Sequence, residues 1–302
     1  MRILLSDGLE KEAIKSLEEK GFEVVNEHYE AEELGEKLKD FDVLVVRSAT
    51  KVRKPIIDKA LEGGRLKLII RGGVGVDNID VDYAQNNGIT VKNTPRASSI
   101  SVAELTFGHI ISVSRFIHIA NVTMREGKWE KKKYEGFELY GKTLGLIGFG
   151  RIAQEVAKRA EAFGMKVIYT NLSGKVVDTF KFERCSLEEL LRKSDYVSLH
   201  IPFDKAKGPV IGKEQLDMMK NTAFLINCAR GGVVDEAALL EALNSNKIAG
   251  AAIDVFEEEP TKNEALINHP RVSVTPHIGA STIEAQGKIG MEVVNIIEEF
   301  AK

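Results

Sequence analysis

Short runs rich in β-branched and other apolar residues alternate with charged amphipathic segments from one end of the chain to the other, and this alternation limits the fold more than any other feature. In the first 95 residues strands are expected at RILLS (2–6), FEVVN (22–26), VLVVR (43–47), LKLII (66–70) and ITVKN (89–93). A second series follows at TLGLIG (143–148), KVIYT (166–170), YVSLHI (196–201), AFLINC (223–228), AGAAIDVF (249–256) and RVSV (271–274). Between them lie helical patterns such as EKEAIKSLEEK, closed by Gly21 as a helix C-cap should be. Strands that alternate with helices form parallel sheets covered on both faces, so the expected class is α/β with two doubly wound parallel-sheet domains. A length of 302 residues suits two such domains.

Residues 98–127 read as a single helix, about 45 Å long at ~1.5 Å per residue. Its apolar residues, among them Ile100, Val102, Leu105, Phe107, Ile110, Val113, Phe116, Ile119, Val122 and Met124, fall on nearly every side. A helix apolar all round has to be buried all round. A second copy of the chain would achieve that, which favours a homodimer over a helix threading a single subunit. The last segment, 281–301, is amphipathic with no strand after it, so it is expected to return to the first domain. The expected division is then 1–96 with 282–302 for substrate, around a dinucleotide-binding insert at 97–281.

Composition removes several other classes. A net charge of −3 gives no basic face for nucleic acid. Two cysteines, Cys185 and Cys228, without CxxC spacing indicate neither a disulfide framework nor a zinc site. MRILLSDG reaches Asp7 too soon for a signal peptide, and no stretch reaches the ~20 apolar residues that span a bilayer. A cytoplasmic protein without a membrane partner is expected.

TLGLIGFGRIAQEVAKRAEAFG sets GFGRIA at the turn from a strand into a helix. Gly148 and Gly150 permit a tight turn and let backbone amides approach a pyrophosphate at the helix N-terminus. Ala153 replaces the third glycine and is still small enough for close helix–strand packing. With its flanking strands the motif reads as a Rossmann-type nucleotide site; a plain glycine-rich turn is the bland alternative. The acid expected about twenty residues on is absent, because KVIYT is followed by Asn171. Its amide can bond a ribose hydroxyl but lacks the charge that repels a 2′-phosphate, and only Lys175 follows nearby. NAD is favoured and NADP is permitted.

Three further groups fall just past strand ends, where doubly wound sheets bind ligands. Arg230 follows AFLINC, Asp254 and Glu259 follow AGAAI, and His277 follows RVSV. Hydride exchange with a hydroxy acid needs a proton moved on oxygen, a carboxylate held still and a nicotinamide positioned. Histidine suits the first need. Arginine suits the second through its bidentate fork, and Glu259 would stabilise the imidazolium. Read singly, Arg230 is a surface arginine, Glu257–Glu259 a solvated acidic loop and His277 a turn histidine. His28, His109, His118, His200 and His269 have no ligand spacing and read as structural.

Together NCARGGVVDEAAL, DVFEEEP, TPHIGAST, GFGRIA and SVAELTFGHI resemble the D-isomer-specific 2-hydroxyacid dehydrogenases from end to end. The resemblance implies a Rossmann NAD-binding domain inserted in a flavodoxin-like substrate domain, and a dimer clasped through the former. It implies a catalytic trio of Arg230, Glu259 and His277. It puts Arg151 and Ile152 at the pyrophosphate and Asn171 at the ribose, and sets Cys228, Ala229 and Asp254 on the nicotinamide side. Val74, Ile201, Gly279 and Ala280 complete the implied cofactor contacts. With all three catalytic groups retained, a non-catalytic nucleotide sensor on the same frame is disfavoured.

One arginine holds one carboxylate, so Arg47 in VRSATKV and Arg71 in IIRGGVGVDNID are surplus for an unphosphorylated acid. Two extra guanidinium groups suit a second, doubly charged anion. The resemblance puts them, with Gly73, at a substrate phosphate and brings Lys131 toward the partner's site. The expected ligand is a phosphorylated 2-hydroxy acid, with glyoxylate, hydroxypyruvate or another 2-keto acid as the alternative; structural ion pairs are the bland reading of the two arginines. Val74 stands where threonine is common in the family, and PRASS (95–99) departs from its usual Gly-Asn-rich stretch. The chain ends at Lys302 without the regulatory domains of longer relatives, so feedback through such a domain is not expected.

Overall fold

The computed structural model describes residues 1–174 and 181–302; Lys175 lies outside the described residues. The chain divides into two compact units, residues 1–99 with 280–302, and residues 100–279.

The first unit runs β1 (Arg2–Leu5), α1 (Lys11–Glu19), β2 (Glu23–Asn26), α2 (Ala31–Lys37), β3 (Val43–Val46), α3 (Lys54–Leu61), β4 (Leu68–Arg71), α4 (Val81–Asn86) and β5 (Thr90–Asn93). Its parallel sheet has the order β2-β1-β3-β4-β5, the flavodoxin-like winding. A parallel sheet is covered on both faces, which is why β3 is apolar and buried at every position. The terminal helix, Ile283–Ala301, lies along α1. Val293, Val294 and Ile297 are buried there, and Lys20 pairs with Glu298 at 2.5 Å. Gly290 allows the approach, since a Cβ on it would stand 2.7 Å from that of Ala13.

The second unit holds α5 (Ser99–Ser114), α6 (Ile117–Arg125), β6 (Thr143–Ile147), α7 (Arg151–Ala162), β7 (Lys166–Thr170), β8 (Glu183–Arg184), α8 (Leu187–Lys193), β9 (Tyr196–Leu199), α9 (Lys213–Met218), β10 (Phe224–Asn227), α10 (Glu236–Asn244), β11 (Gly250–Ile253), α11 (Glu264–Ile267) and β12 (Val272–Val274), leaving the terminal helix as α12. The parallel order β12-β11-β10-β9-β6-β7-β8 is the six-strand Rossmann order with one strand added at an edge. The sequence indicates one strand fewer. β8 is two exposed charged residues paired with Ile168 and Tyr169, so no apolar run betrays it.

The single long helix expected over 98–127 is not formed. Phe116 takes a left-handed conformation (φ 55°), and α5 and α6 diverge by 67°. No proline or glycine marks the break. Instead the chain at 136–137 crosses the end of α5, where Phe137 N–H donates to the Ser114 carbonyl at 2.9 Å and takes the place of a continuing helical bond. Burial also differs from expectation. α5 buries Val102, Phe107, Ile110 and Val113, whereas Ile117, Val122 and Met124 on α6 are 50%, 48% and 53% exposed in the single chain. Among the described residues no single helix is long and apolar enough to cross a membrane.

Close packing makes a specific demand at the centre of this sheet. A Cβ on Gly145 of β6 would lie 2.2 Å from the Ser194 hydroxyl and 2.6 Å from Leu190. Gly145→Ala is expected to cost about 1–3 kcal/mol by overpacking and to lower the thermal midpoint by several degrees; an unchanged melting curve would refute this packing.

Candidate active site

The glycine turn after β6 is shaped by two different needs. Gly148 has φ 86°, and a Cβ on it would strike the His200 carbonyl at 2.5 Å and the Ile201 side chain at 2.7 Å. Gly150 is extended and caps α7, and a Cβ there would meet nothing within 4 Å. The space over the first turn of α7, which begins with Arg151 and Ile152, is therefore open to an anion drawn by its N–H groups. A dinucleotide phosphate fits this cradle. Ala153 is fully buried one step along α7, where the missing third glycine would pack. At the end of β7, Gly148 N–H donates to the Thr170 carbonyl at 2.8 Å, and the Asn171 side-chain oxygen accepts from Phe149 N–H at 2.7 Å. Asn171 thus braces the turn.

Past β10 the chain folds back on itself. Asn227 is buried; its amide nitrogen donates to the Arg230 carbonyl at 3.0 Å and its oxygen accepts from Ala229 N–H at 3.1 Å. Arg230 Nη1 donates to the Ala229 carbonyl at 2.6 Å. A Cβ on Gly231 would fall 1.7 Å from the Phe256 carbonyl, so this loop lies directly on the one that follows β11. That contact brings Arg230 toward Glu259.

Glu259 and His277 meet. His277 Nδ1 donates to Glu259 Oε2 at 2.7 Å, while Glu259 Oε1 accepts from Phe256 N–H at 3.1 Å. Both side chains are 37% exposed, so the pair is reachable from solvent. With Nδ1 committed, Nε2 is the ring atom that can exchange a proton with a ligand. Burial pushes the Glu259 carboxyl up, but the His277 hydrogen bond and charge, the Phe256 amide and the Arg230 charge outweigh it. The net position lies below the usual carboxylate range. His277 itself stands at φ 53°, a left-handed conformation that histidine enters more readily than most residues.

Asp254 holds that conformation from below. It is 1% exposed. Its Oδ1 accepts from the Thr275 hydroxyl at 2.6 Å and Ile278 N–H at 2.8 Å, its Oδ2 from Gly279 N–H at 2.9 Å, and its carbonyl from His277 N–H at 2.8 Å. Ala280, next in line, accepts at its carbonyl from Gln286 Nε2 at 2.7 Å. Cys228 is buried beside this carboxylate. Burial first, then the Asp254 charge, push its thiol up to about 12 against a hydrogen bond to Thr106.

In the first unit, Arg47 and Arg71 stand at the carboxyl ends of β3 and β4. Arg47 borders a cavity of about 490 Å³ with Glu10, Ser281, Thr282, Ile283 and Gln286, at the N-terminus of α12. Its loop is fixed by residues the motifs did not single out. Asp7 Oδ2 accepts from Arg47 N–H at 2.7 Å and Thr50 N–H at 3.0 Å, and Asn78 Nδ2 donates to the Arg47 carbonyl at 2.8 Å. The acid directly after the first strand was the available signal. Arg71 curls over its own loop and donates to the Gly72 carbonyl at 3.3 Å. A Cβ on Gly73, at φ 151°, would coincide with that guanidinium. The Val74 carbonyl accepts from Asn93 Nδ2 at 2.5 Å. Lys131 lies in the exposed 3₁₀ turn Lys131–Lys133 of the second unit.

The acidic run is not merely solvated. Glu257 Oε1 accepts from Glu236 N–H at 3.0 Å while Glu236 Oε1 accepts from Glu257 N–H at 2.7 Å, a reciprocal clasp at the start of α10. The third acid of the run is the partner of His277.

Two outcomes follow from these environments. Because the folded Glu259 value lies below the ordinary 4.5, its contribution to stability is complete above that pH and is lost as pH falls through the folded value. Glu259→Gln is therefore expected to flatten the acid limb of a thermal-midpoint profile; an unaltered limb would contradict the pairing. Cys228 is expected to resist iodoacetamide in the native protein at about pH 8 and to react once unfolded, because the thiolate is the reactive form. Mass spectrometry of the peptide containing it reads this out, and native labelling would contradict the burial.

A family profile described as "D-isomer specific 2-hydroxyacid dehydrogenase, NAD binding domain" matches residues 107–279. The chain is 49% identical over its whole length to the D-3-phosphoglycerate dehydrogenase of Methanocaldococcus jannaschii, but spans only 58% of that relative. It is 48% identical to the hydroxypyruvate reductase of Thermotoga maritima, over 98% of this chain and 97% of the relative. Among solved structures, an acyclic imino acid reductase in complex with NADPH and D-Arg superposes with TM-score 0.91 at 35% identity, covering 100% of this chain and 97% of the other. The chain belongs to the D-isomer-specific 2-hydroxyacid dehydrogenase family.

Proposed function

We propose that the protein oxidises 3-phospho-D-glycerate to 3-phosphohydroxypyruvate, reversibly, with NAD. Residues 97–281 bind the dinucleotide, and residues 1–96 with 282–302 bind substrate. The observation that carries the chemistry is the 2.7 Å bond from His277 Nδ1 to Glu259, which commits one ring nitrogen and leaves the other to the ligand. A bound nicotinamide supplies the acceptor or donor of the hydride at C2. His277 Nε2 takes the C2 hydroxyl proton in oxidation and returns it in reduction, and Glu259 stabilises the imidazolium between those events. Arg230 grips the substrate carboxylate through its fork. The open cradle at Gly150, with Arg151 and Ile152, holds the pyrophosphate. Asn171 meets the ribose, and Ile201, Cys228, Ala229, Asp254 and Gly279 with Ala280 and Val74 surround the nicotinamide end. An Asn171 without charge makes preference for NAD over NADP modest.

The phosphate part of this reading is supported by Arg47 on its cavity at the α12 N-terminus, and by Arg71 with Gly73 one strand along. The exposed Ile117, Val122 and Met124 of α6 support a homodimer in which a second copy covers them and in which Lys131 serves the partner's site. A second reading, reduction of hydroxypyruvate or glyoxylate, is favoured by the relative named hydroxypyruvate reductase, which the chain matches along 97% of its length.

Steady-state turnover of 3-phosphohydroxypyruvate against hydroxypyruvate, each with NADH and NADPH, separates the two. Arg47→Ala and Arg71→Ala are each expected to raise KM for the phosphorylated substrate about 10-fold or more, as for a lost charge-assisted hydrogen bond of about 1.5–3 kcal/mol. KM values unmoved for the phosphorylated acid would leave the second reading. His277→Asn is expected to lower kcat by about 10²–10⁴-fold with cofactor binding retained; undiminished turnover would refute the proton role.

A further inference from the structure

α5 turns one face toward the strand ends of its own unit. Val102 lies against Gly279, where an added Cβ would come within 3.3 Å of it. Thr106 reaches the Cys228 thiol. His109, which its sequence context marks only as structural, is 3% exposed and meets Ser273 and Thr275 at the end of β12. Positions 102, 106 and 109 share one side of a helix.

The proton between His109 and Thr275 can be placed in only one way. The Thr275 hydroxyl donates its single proton to Asp254 Oδ1 at 2.6 Å, and that carboxylate oxygen also accepts Ile278 N–H. Thr275 Oγ1 can then only accept from His109 Nε2, 2.9 Å away, so the ring proton sits on Nε2. Burial pushes the His109 pKa down; Asp254 pulls it up and His118 pushes it down, and the net direction is down. The ring is therefore neutral, and its bare Nδ1 accepts from the Ser273 hydroxyl at 3.1 Å. Ser273 in turn accepts from Ser112 at 3.2 Å. Every donor in the row points toward Asp254, and Asp254 grips Thr275, Ile278 and Gly279 on either side of His277.

We propose that His109 is a positioning residue for proton transfer: by donating from Nε2 to Thr275 it aims that hydroxyl at Asp254 and so fixes the 275–279 loop that sets where the His277 ring stands. The inference rests on the reading of His277 as the acid–base group. A leucine at 109 would fill the same space but leave the Thr275 oxygen without its donor and the hydroxyl free to turn. A glutamine can offer an amide N–H to the same oxygen.

The test is reduction of hydroxypyruvate with NADH by the whole chain, with NADH affinity measured separately by fluorescence titration. His109→Leu and Thr275→Val are each expected to lower kcat about 10–100-fold, the scale of a misplaced reacting group, with the NADH Kd changed by less than about threefold. The double variant should be no worse than the worse single one, because both cut one link. His109→Gln and Thr275→Ser should stay within about threefold of the parent. A fully active His109→Leu, or a His109→Gln as impaired as the leucine variant, would overturn the proposal. If the leucine variant fails to fold, the Thr275 pair decides: a valine variant as active as the serine one overturns it. Ring ¹⁵N spectra give a readout independent of turnover. The proton is expected on Nε2 of His109, and a proton on Nδ1 instead would overturn the assignment. His277→Asn run in parallel distinguishes the levels, since a fully active His277→Asn removes the acid–base reading itself. An inactive His277→Asn beside a fully active His109→Leu removes only the role of His109.

Discussion

A buried carboxylate governs the geometry of this site. Removing Asp254 from water is tolerable only because three donors meet it, and all three belong to the segment that carries His277. The satisfied acid and the unusual backbone are two sides of one bargain. The left-handed turn at His277 directs successive N–H groups downward to Asp254, and Asp254 keeps the turn from relaxing. Glu259 then needs only to reach the ring from the side, and Gly231 lets the loop bearing Arg230 close on the loop bearing Glu259.

Much of this could be read from the chain before any coordinates. Parallel strands buried on both faces leave continuous apolar runs, so β1, β3, β6, β9 and β10 announce themselves. The glycine turn is equally legible, because Gly148 answers a steric demand that other residues cannot meet and Gly150 leaves the start of α7 uncovered. Arg230, Glu259 and His277 all follow strand ends, as their sequence contexts indicate, and the structure brings the latter two into direct contact.

What stayed hidden has physical reasons. β8 pairs through backbone alone and carries two exposed charges, so no side-chain pattern reveals it. The break at Phe116 comes from a distant segment that takes the last carbonyl of α5, and neither glycine nor proline signals it. Glu257 looked like a solvated acid because the N–H that it accepts is 21 residues away. The same holds for His109, whose partners lie more than 160 residues on and whose own neighbours in sequence are apolar.

The fold of Arg71 over Gly73 ties two positions into one. The guanidinium occupies the volume in which any side chain at 73 would begin, so no residue with a Cβ can enter there while the arginine keeps its present pose. The atom in the way is the far end of a flexible side chain, so a Cβ at 73 would push the guanidinium aside, and the lasting constraint on 73 is its backbone at φ 151°. A single exchange at 73 would therefore also relocate the positive charge of Arg71, so its effect on a ligand there reads both positions together.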